Sequence, residues 1–232
     1  MDFEVCVERV DTAIVADNYG ATRIELCSAL DLGGLTPSIG IVESCVEKCS
    51  LDVFVMIRPR GGGFVYSSDE LVIMMKNIEA IAKAGSNGVV FGCLTENFEL
   101  NDYQNNKLLE YSKSLGLGVT FHRAFDFCKN ATKSLESLIN QGFDRILTSG
   151  KAITAIEGKD NIKNWVDISK GRIQIMAGSG INGSNAKIFE DIGVDALHFT
   201  ARKKRIKEDL FNMGEEYVVD KDKLTKIIFN KA

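Results

Sequence analysis

One pattern recurs along the chain: a helical stretch ends at a glycine, and an apolar strand begins two or three residues later. It occurs at Gly20, Gly85, Gly142 and Gly193. Glycine suits the left-handed backbone position that ends many helices. The short gap is typical of the helix-to-strand loop in parallel β/α repeats. The chain is therefore predicted to alternate strands and helices.

Counting with this pattern predicts eight strands with helical periodicity between them. The predicted strands are residues 3–7, 23–27, 53–58, 88–92, 118–123, 145–149, 172–177 and 195–200. Predicted helices include residues 68–84 and 130–141, and a last helix near 220–230. Eight β/α units predict an α/β fold, a (β/α)8 TIM barrel, with a doubly wound open sheet as the alternative. No linker interrupts the series, so residues 1–232 are expected to form a single domain.

Composition adds a cellular setting to this fold. The chain is 45% hydrophobic and 26% charged, as in soluble globular proteins. Its net charge of −4 argues against nucleic acid as a partner. The first residues lack a signal-peptide pattern, and the longest aliphatic run, residues 71–75, is too short to span a bilayer. We expect a cytoplasmic protein with no membrane partner, whose six cysteines are reduced thiols.

Scarce histidines mark the candidate chemistry. The fifth predicted strand ends in His122 and Arg123, with Asp126 just beyond, and the only other histidine, His198, lies near the end of the eighth. Active sites in this fold lie at the carboxyl ends of the strands. An enzyme at this place would use His122 as its acid or base, and Asp126 is a further candidate. The alternative is that both histidines are hydrogen-bonded structural residues.

Charged residues at other strand ends extend this candidate site. Glu4 and Glu25 are candidate partner carboxylates for His122, and Arg58, Arg60 and Arg123 would clamp an anion. Buried carboxylates need partners. The same residues therefore also fit an ion-pair network that fills the barrel mouth without chemistry.

A glycine-rich turn after the seventh strand predicts an anion site. The turn from Gly178 to Gly180 would leave backbone amides free, and Asn182 or Ser184 would cap the following helix. Thr148 and Ser149, at the end of the sixth strand, are further candidate ligand contacts. The cationic run at residues 202–205 either attracts the same anion or begins a solvated helix.

Two cysteines are candidate metal ligands. Cys6 and Cys27 lie on adjacent predicted strands at similar depth, and Cu(I) prefers thiolate ligands. Side chains two apart on a strand lie on the same face of the strand. Cys6 is therefore expected to share a face with Glu4, and Cys27 with Glu25. The pair Cys45 and Cys49, four residues apart on a predicted helix, is interpreted as small core hydrophobes. No organic cofactor is indicated.

The strand-end motifs resemble the CutC family. They are Glu25-Leu26-Cys27, Gly33-Gly34-Leu35-Thr36-Pro37-Ser38, Ile57-Arg58-Pro59-Arg60-Gly61-Gly62, Thr120-Phe121-His122-Arg123-Ala124-Phe125-Asp126 and Arg145-Ile146-Leu147-Thr148-Ser149-Gly150. The resemblance runs from residue 4 to about residue 201. It implies a TIM barrel, a cytoplasmic protein, often a homodimer, and a link to copper homeostasis. The family usually reads Gly-Asp-Phe where this chain has Gly62-Gly63-Phe64, so a carboxylate is missing there.

Two functions follow as expectations. Copper association comes first because the resemblance implies it. The alternative is a barrel enzyme that acts on a small anionic substrate, with phosphorylated compounds as one class of candidate.

Overall fold

The computed structural model describes residues 1–205 and 215–229. Its strands are β1 Asp2–Val7, β2 Arg23–Leu26, β3 Asp52–Met56, β4 Gly88–Phe91, β5 Gly118–Phe121, β6 Arg145–Thr148, β7 Gln174–Gly178, β8 Ala196–Thr200, β9 Arg202–Lys204 and β10 Tyr217–Val219. Its helices are α1 Val10–Asn18, α2 Ile39–Lys48, α3 Ser68–Lys83, α4 Asp102–Ser114, α5 Ala131–Gln141, α6 Lys159–Ser169, α7 Ala186–Ile192 and α8 Lys221–Ile228.

Strands β1 to β8 form a closed parallel barrel in sequence order. The barrel closes where β8 pairs with β1, with Phe3 opposite Leu197 and Cys6 opposite Thr200. This confirms the (β/α)8 barrel and excludes the open sheet. No helix in the described part of the chain is both long and apolar enough to cross a membrane.

The repeated glycine pattern has a structural cause. All four glycines have positive φ, between 85° at Gly20 and 94° at Gly142. The residue two positions later accepts a hydrogen bond from an amide at the start of the preceding strand. The four bonds are Phe3 N to Thr22 Oγ1 at 2.9 Å, Val53 N to Asn87 Oδ1 at 2.9 Å, Val119 N to Asp144 Oδ2 at 2.6 Å and Ile175 N to Asp195 Oδ2 at 2.7 Å. In these four repeats, the hydrogen bond joins the loop before a new strand to the start of the preceding strand.

Hydrophobic residues fill two regions of the barrel. Outward-facing strand residues such as Val5, Phe91 and Ile175 are fully buried against the helices. Smaller clusters lie in the interior, one around Phe54 and one around Met176. These two clusters do not fill the barrel interior, and buried charged side chains occupy the rest of it.

Several predicted boundaries move. Strand β3 ends at Met56, two residues before the predicted Arg58, because Arg58 turns its guanidinium to loop carbonyls. The cationic run does not begin a helix: Arg202–Lys204 pairs antiparallel with Tyr217–Val219. The last helix, predicted near residues 220–230, runs from Lys221 to Ile228, with Asp220 as its N-cap. Residue 230 lies outside the described residues.

Candidate functional site

A cavity of about 300 Å³ opens at the carboxyl ends of the barrel strands. The structure brings seven predicted site residues together around it, namely Cys6, Glu25, Arg58, His122, Arg123, Gly180 and His198. The remaining lining residues are Leu30, Gly33, Met56, Phe64, Leu147, Ser179, Ile181, Phe199, Thr200, Arg202 and Lys223. The volume suits a small molecule.

Glu25 and His198 form the floor of this cavity, and Glu4 lies beneath them. His198 Nε2 lies 2.9 Å from Glu25 Oε2 and 3.8 Å from Glu4 Oε1. Burial lowers the pKa of His198, but the charge of Glu25 and the hydrogen bonds to Cys6 and Glu25 together outweigh it, so the net pKa lies well above the usual value. Burial likewise raises the pKa of Glu25, and His198 more than reverses this, so the net pKa is lowered. The pair is therefore a buried imidazolium and carboxylate.

Glu4 lies below the cavity rather than on its wall. Its side chain is fully buried and accepts a hydrogen bond from Arg23 Nε. The guanidinium carbons of Arg23 and Arg145 lie 5.1 Å and 5.4 Å from the centroid of the Phe54 ring. Burial lowers the pKa of Arg145, and the charge of Glu4 partly offsets this. Among the described residues, Glu4 therefore forms part of the buried ion network at the base of the site.

The two predicted thiol ligands are adjacent in the barrel interior. Cys6 Sγ and Cys27 Sγ are 3.9 Å apart, and Cys27 Sγ lies 3.6 Å from Glu25 Oε2. The hydrogen bond to Cys27, together with burial, raises the pKa of Cys6 well above its usual value. The same hydrogen bond lowers the pKa of Cys27, but burial and the charge of Glu25 raise it to about 12. Both thiols are protonated at neutral pH.

The second cysteine pair lies in the packing between helices and sheet. Cys45 is fully buried in α2, and Cys49 caps the carboxyl end of that helix. Both contribute to the large hydrophobic core, as the interpretation of small core hydrophobes requires.

His122 is buried at the end of β5, with 4% of its surface exposed. Its Nδ1 accepts a hydrogen bond of 3.2 Å from the amide of Ala124. Burial, together with the charge of Arg58, lowers the pKa of His122 to about 4. The ring is therefore neutral, and its single proton lies on Nε2, which has no partner among the described residues. His122 is thus a neutral hydrogen-bond donor.

The arginines of the predicted anion clamp differ in position. Arg58 lines the cavity, while its Nη atoms donate to the carbonyls of Leu32, Gly34 and Gly62. Arg60 does not line it, because its guanidinium pairs with Glu70 at the start of α3. Arg58 therefore fixes the loops at the mouth, and only its Nε is unpartnered.

Arg123 and Asp126 belong to a hydrogen-bond cluster beside the cavity. Arg123 Nε donates to Asp126 Oδ2 at 2.9 Å, and Arg123 Nη2 donates to Ser149 Oγ at 2.7 Å. Asp126 also accepts from the Thr148 hydroxyl and from the amides of Ser149 and Lys151. Asp126, Thr148 and Ser149 do not line the cavity. They hold the end of β6 in place and orient Arg123.

The turn after β7 differs in part from its prediction. Ser179 and Gly180 line the cavity, whereas Gly178 is packed between Leu147 and His198. The helix cap predicted at Asn182 or Ser184 is wrong, because α7 begins later with Asn185 as its N-cap. The oxygen of Asn182 instead accepts from the amide of Ser184 inside the turn.

Sequence reasoning missed several residues of the site, among them Met56, Phe64 and Lys223. Met56 lies two residues before Arg58 on one strand face, so side-chain alternation would have identified it. Phe64 lies in a loop and Lys223 in the last helix. No local pattern indicates that these two reach the mouth, because chain folding alone brings them there.

Gly63, which stands where the CutC family usually has an aspartate, leaves no packing defect. A side chain at this position would meet no atom within 4 Å. The loop therefore has space for the acidic residue that the family usually carries, although this chain lacks it.

Comparison with known proteins agrees with this architecture. The model of the CutC family matches residues 1–203. A CutC family protein of Vibrio parahaemolyticus is 43% identical over 213 residues, which cover 91% of this chain and 86% of the relative. A CutC family protein of Vibrio cholerae is 46% identical over 213 residues, with 91% and 84% covered.

Solved structures agree as well. The crystal structure of a proposed copper homeostasis protein CutC from Streptococcus agalactiae has 36% identity and a TM-score of 0.80, covering 86% of this chain and 98% of its own. A 3-hexulose-6-phosphate synthase from Salmonella typhimurium shares the fold alone, with 13% identity and a TM-score of 0.63 over 99% and 98% of the two chains. This chain belongs to the CutC family.

Proposed function

We propose that this protein binds Cu(I) through the thiolates of Cys6 and Cys27. The observation that carries the proposal is the 3.9 Å separation of the two sulfur atoms. Metal–thiolate bonds are about 2.3 Å long in zinc sites, so sulfurs at this separation can contact one ion. Thiolates are also the ligands that Cu(I) prefers. The donor set present in the barrel therefore fits this ion.

Neighbouring groups complete and limit the site. Donor atoms of Cys6, Glu25 and Cys27 lie within 4.8 Å of one another. The carboxylate of Glu25 adds negative charge for a cation. The same charge, with burial, raises the pKa of Cys27 to about 12, although the hydrogen bond from Cys6 lowers it. The ion must displace two tightly held protons, so we expect modest affinity that increases with pH.

Anaerobic competition for Cu(I) against a chelator tests the proposal. Wild type should bind one ion per chain, more tightly at pH 8 than at pH 6. Cys27→Ser should weaken binding at least tenfold. The matched double variant Cys45→Ser/Cys49→Ser should bind like wild type, because it alters a thiol pair elsewhere in the fold. Loss of binding only in the double variant, or equal binding by all three proteins, would contradict the proposal.

A further inference from the structure

Three polar atoms at the cavity have no hydrogen-bond partner among the described residues. They are His122 Nε2, Glu25 Oε1 and Arg58 Nε. The exposed fractions of these residues are 4%, 2% and 5%. A buried polar atom without a partner destabilises the folded protein. Three such atoms from residues that line one cavity indicate that a molecule other than the protein completes their hydrogen bonds.

The unpartnered atoms define what that molecule must offer. Because His122 Nδ1 accepts from Ala124, Nε2 carries the ring proton and donates. Glu25 Oε1 accepts, since its other oxygen already binds His198. A donor and an acceptor from residues that line one cavity complement a carbonyl oxygen and a hydroxyl group of one molecule.

Another part of the cavity wall, the turn after β7, is suited to an anion. The amides of Ser179, Gly180 and Ile181 donate to no protein acceptor within the ranges that the structure describes. Ser179 and Gly180 have φ values of 79° and 77°. The segment after β6 holds this conformation, since Ser179 Oγ donates to Ile153 O at 2.8 Å and Ala155 N donates to Ser179 O at 2.9 Å. Successive free amides in such a turn form an anion-binding concavity.

Cationic side chains reinforce this wall. Arg202 and Lys223 both line the cavity. Burial lowers the pKa of Lys223, and Asp220 partly offsets the effect. An anion near Lys223 would compensate a charge that the protein alone leaves poorly solvated.

We propose that the cavity binds a small phosphorylated hydroxy-carbonyl compound. Its phosphate group binds the Ser179–Gly180–Ile181 amides and Lys223. Its carbonyl oxygen accepts from His122, and its hydroxyl group donates to Glu25. A cavity of about 300 Å³ accommodates a molecule of this size. The inference is independent of copper, because the polar atoms on which it rests include neither sulfur.

Phe64 packs against two of the residues that carry unpartnered atoms. Its ring lies 4.8 Å from the His122 ring, and the Arg58 guanidinium carbon lies 5.3 Å from its centroid. Phe64 and Arg58 also line a second pocket of about 470 Å³. The unpartnered atoms have almost no solvent-exposed surface, so a ligand that contacts them has to displace side chains packed around them.

Calorimetric titration of metal-free protein tests the proposal with three probes: dihydroxyacetone phosphate, dihydroxyacetone and inorganic phosphate. We expect dihydroxyacetone phosphate to bind at least tenfold more tightly than either fragment. In ¹⁵N NMR spectra, it should shift the Nε2 signal of His122. No saturable binding at millimolar concentration, or equal binding of dihydroxyacetone with and without phosphate, would overturn the proposal.

Variants assign the contacts. His122→Asn keeps an acceptor for Ala124 and removes the Nε2 donor, so Kd should rise at least tenfold. Lys223→Gln should raise Kd about threefold or more, whereas Lys221→Gln, exposed on the same helix, should leave it unchanged. Circular dichroism checks that each variant folds. Unchanged affinity in both folded His122→Asn and Lys223→Gln would refute the assignment.

Discussion

At the scale of single residues, burial decides which ionised form each group of the site takes. His122 and His198 both lie at strand ends facing one cavity. Contact with Glu25 keeps His198 charged despite its burial, whereas burial and the charge of Arg58 keep His122 neutral. Two identical side chains therefore have opposite charge states because their neighbours differ.

The depressed pKa of His122 predicts a loss of stability in acid. The folded pKa is about 4, against an ordinary value of about 6.5. The unfolded chain therefore takes up this proton first as pH falls, and the stabilisation present above pH 6.5 is lost toward pH 4. The free energy of unfolding should fall by about 3 kcal/mol more in wild type than in His122→Asn between pH 7 and pH 4.

Urea unfolding of both proteins at the two pH values measures this difference. The comparison cancels the carboxylates that titrate in both chains. An equal pH dependence in the two proteins would show that His122 has an ordinary pKa.

At the scale of elements, the β/α repeat is held by one bond that recurs. The polar residue two positions after the helix-ending glycine accepts from an amide at the start of the preceding strand. The residue differs between repeats, but each is a short side chain with an oxygen acceptor. The repeat therefore conserves a hydrogen-bonding function rather than a residue type, and this fixes strand register.

Asp195 provides a test of this bond. Asp195→Ala leaves the amide of Ile175 without its acceptor at 2.7 Å, and we expect a loss of about 1–2 kcal/mol of unfolding free energy. Asp195→Asn retains an oxygen acceptor and should recover most of the loss. Asp191→Ala, on the exposed surface of α7, is the control and should change stability little. Thermal and urea unfolding measure all three, and equal stability of the Ala and Asn variants at position 195 would argue against the bond.

At the scale of the whole molecule, closure of the barrel creates the site. Glu25 and His198 are 173 positions apart and meet because β1 lies between β2 and β8. Closure also places Cys6 of β1 beside Cys27, which follows β2. The cavity therefore depends on the β1–β8 pairing as much as on any side chain in it.

Native-state hydrogen exchange tests the closure. Strand β1 has a partner on each side, so no edge is exposed there. We expect the amides of Val5 and Cys6 to exchange within about tenfold of those of Val89 and Val119, because all open only with global unfolding. Exchange of β1 faster by several orders of magnitude would show that the barrel opens at this seam.

Local pattern was sufficient to predict most of the fold. Helix-ending glycines and apolar strands determined the order of elements, because backbone conformation and burial act over a few residues. For the cationic run at residues 202–205, the alternative of a helix start was wrong for the same reason: the strand partner, Tyr217–Val219, lies more than ten residues away. Strand ends also identified Glu25, Arg58, Arg123, His122 and His198 as candidates, since all barrel strands end on one face.

Only the tertiary structure decided the chemistry of these residues. The sequence places Asp126 beside His122, yet the fold turns Asp126 to Thr148 and Ser149 and leaves His122 Nε2 free. It also brings in Phe64 and Lys223, which no spacing links to the strand ends. Charge state, accessibility and hydrogen-bond satisfaction depend on every group within a few ångströms. These neighbours come from distant parts of the chain, so folding has to bring them together before the site exists.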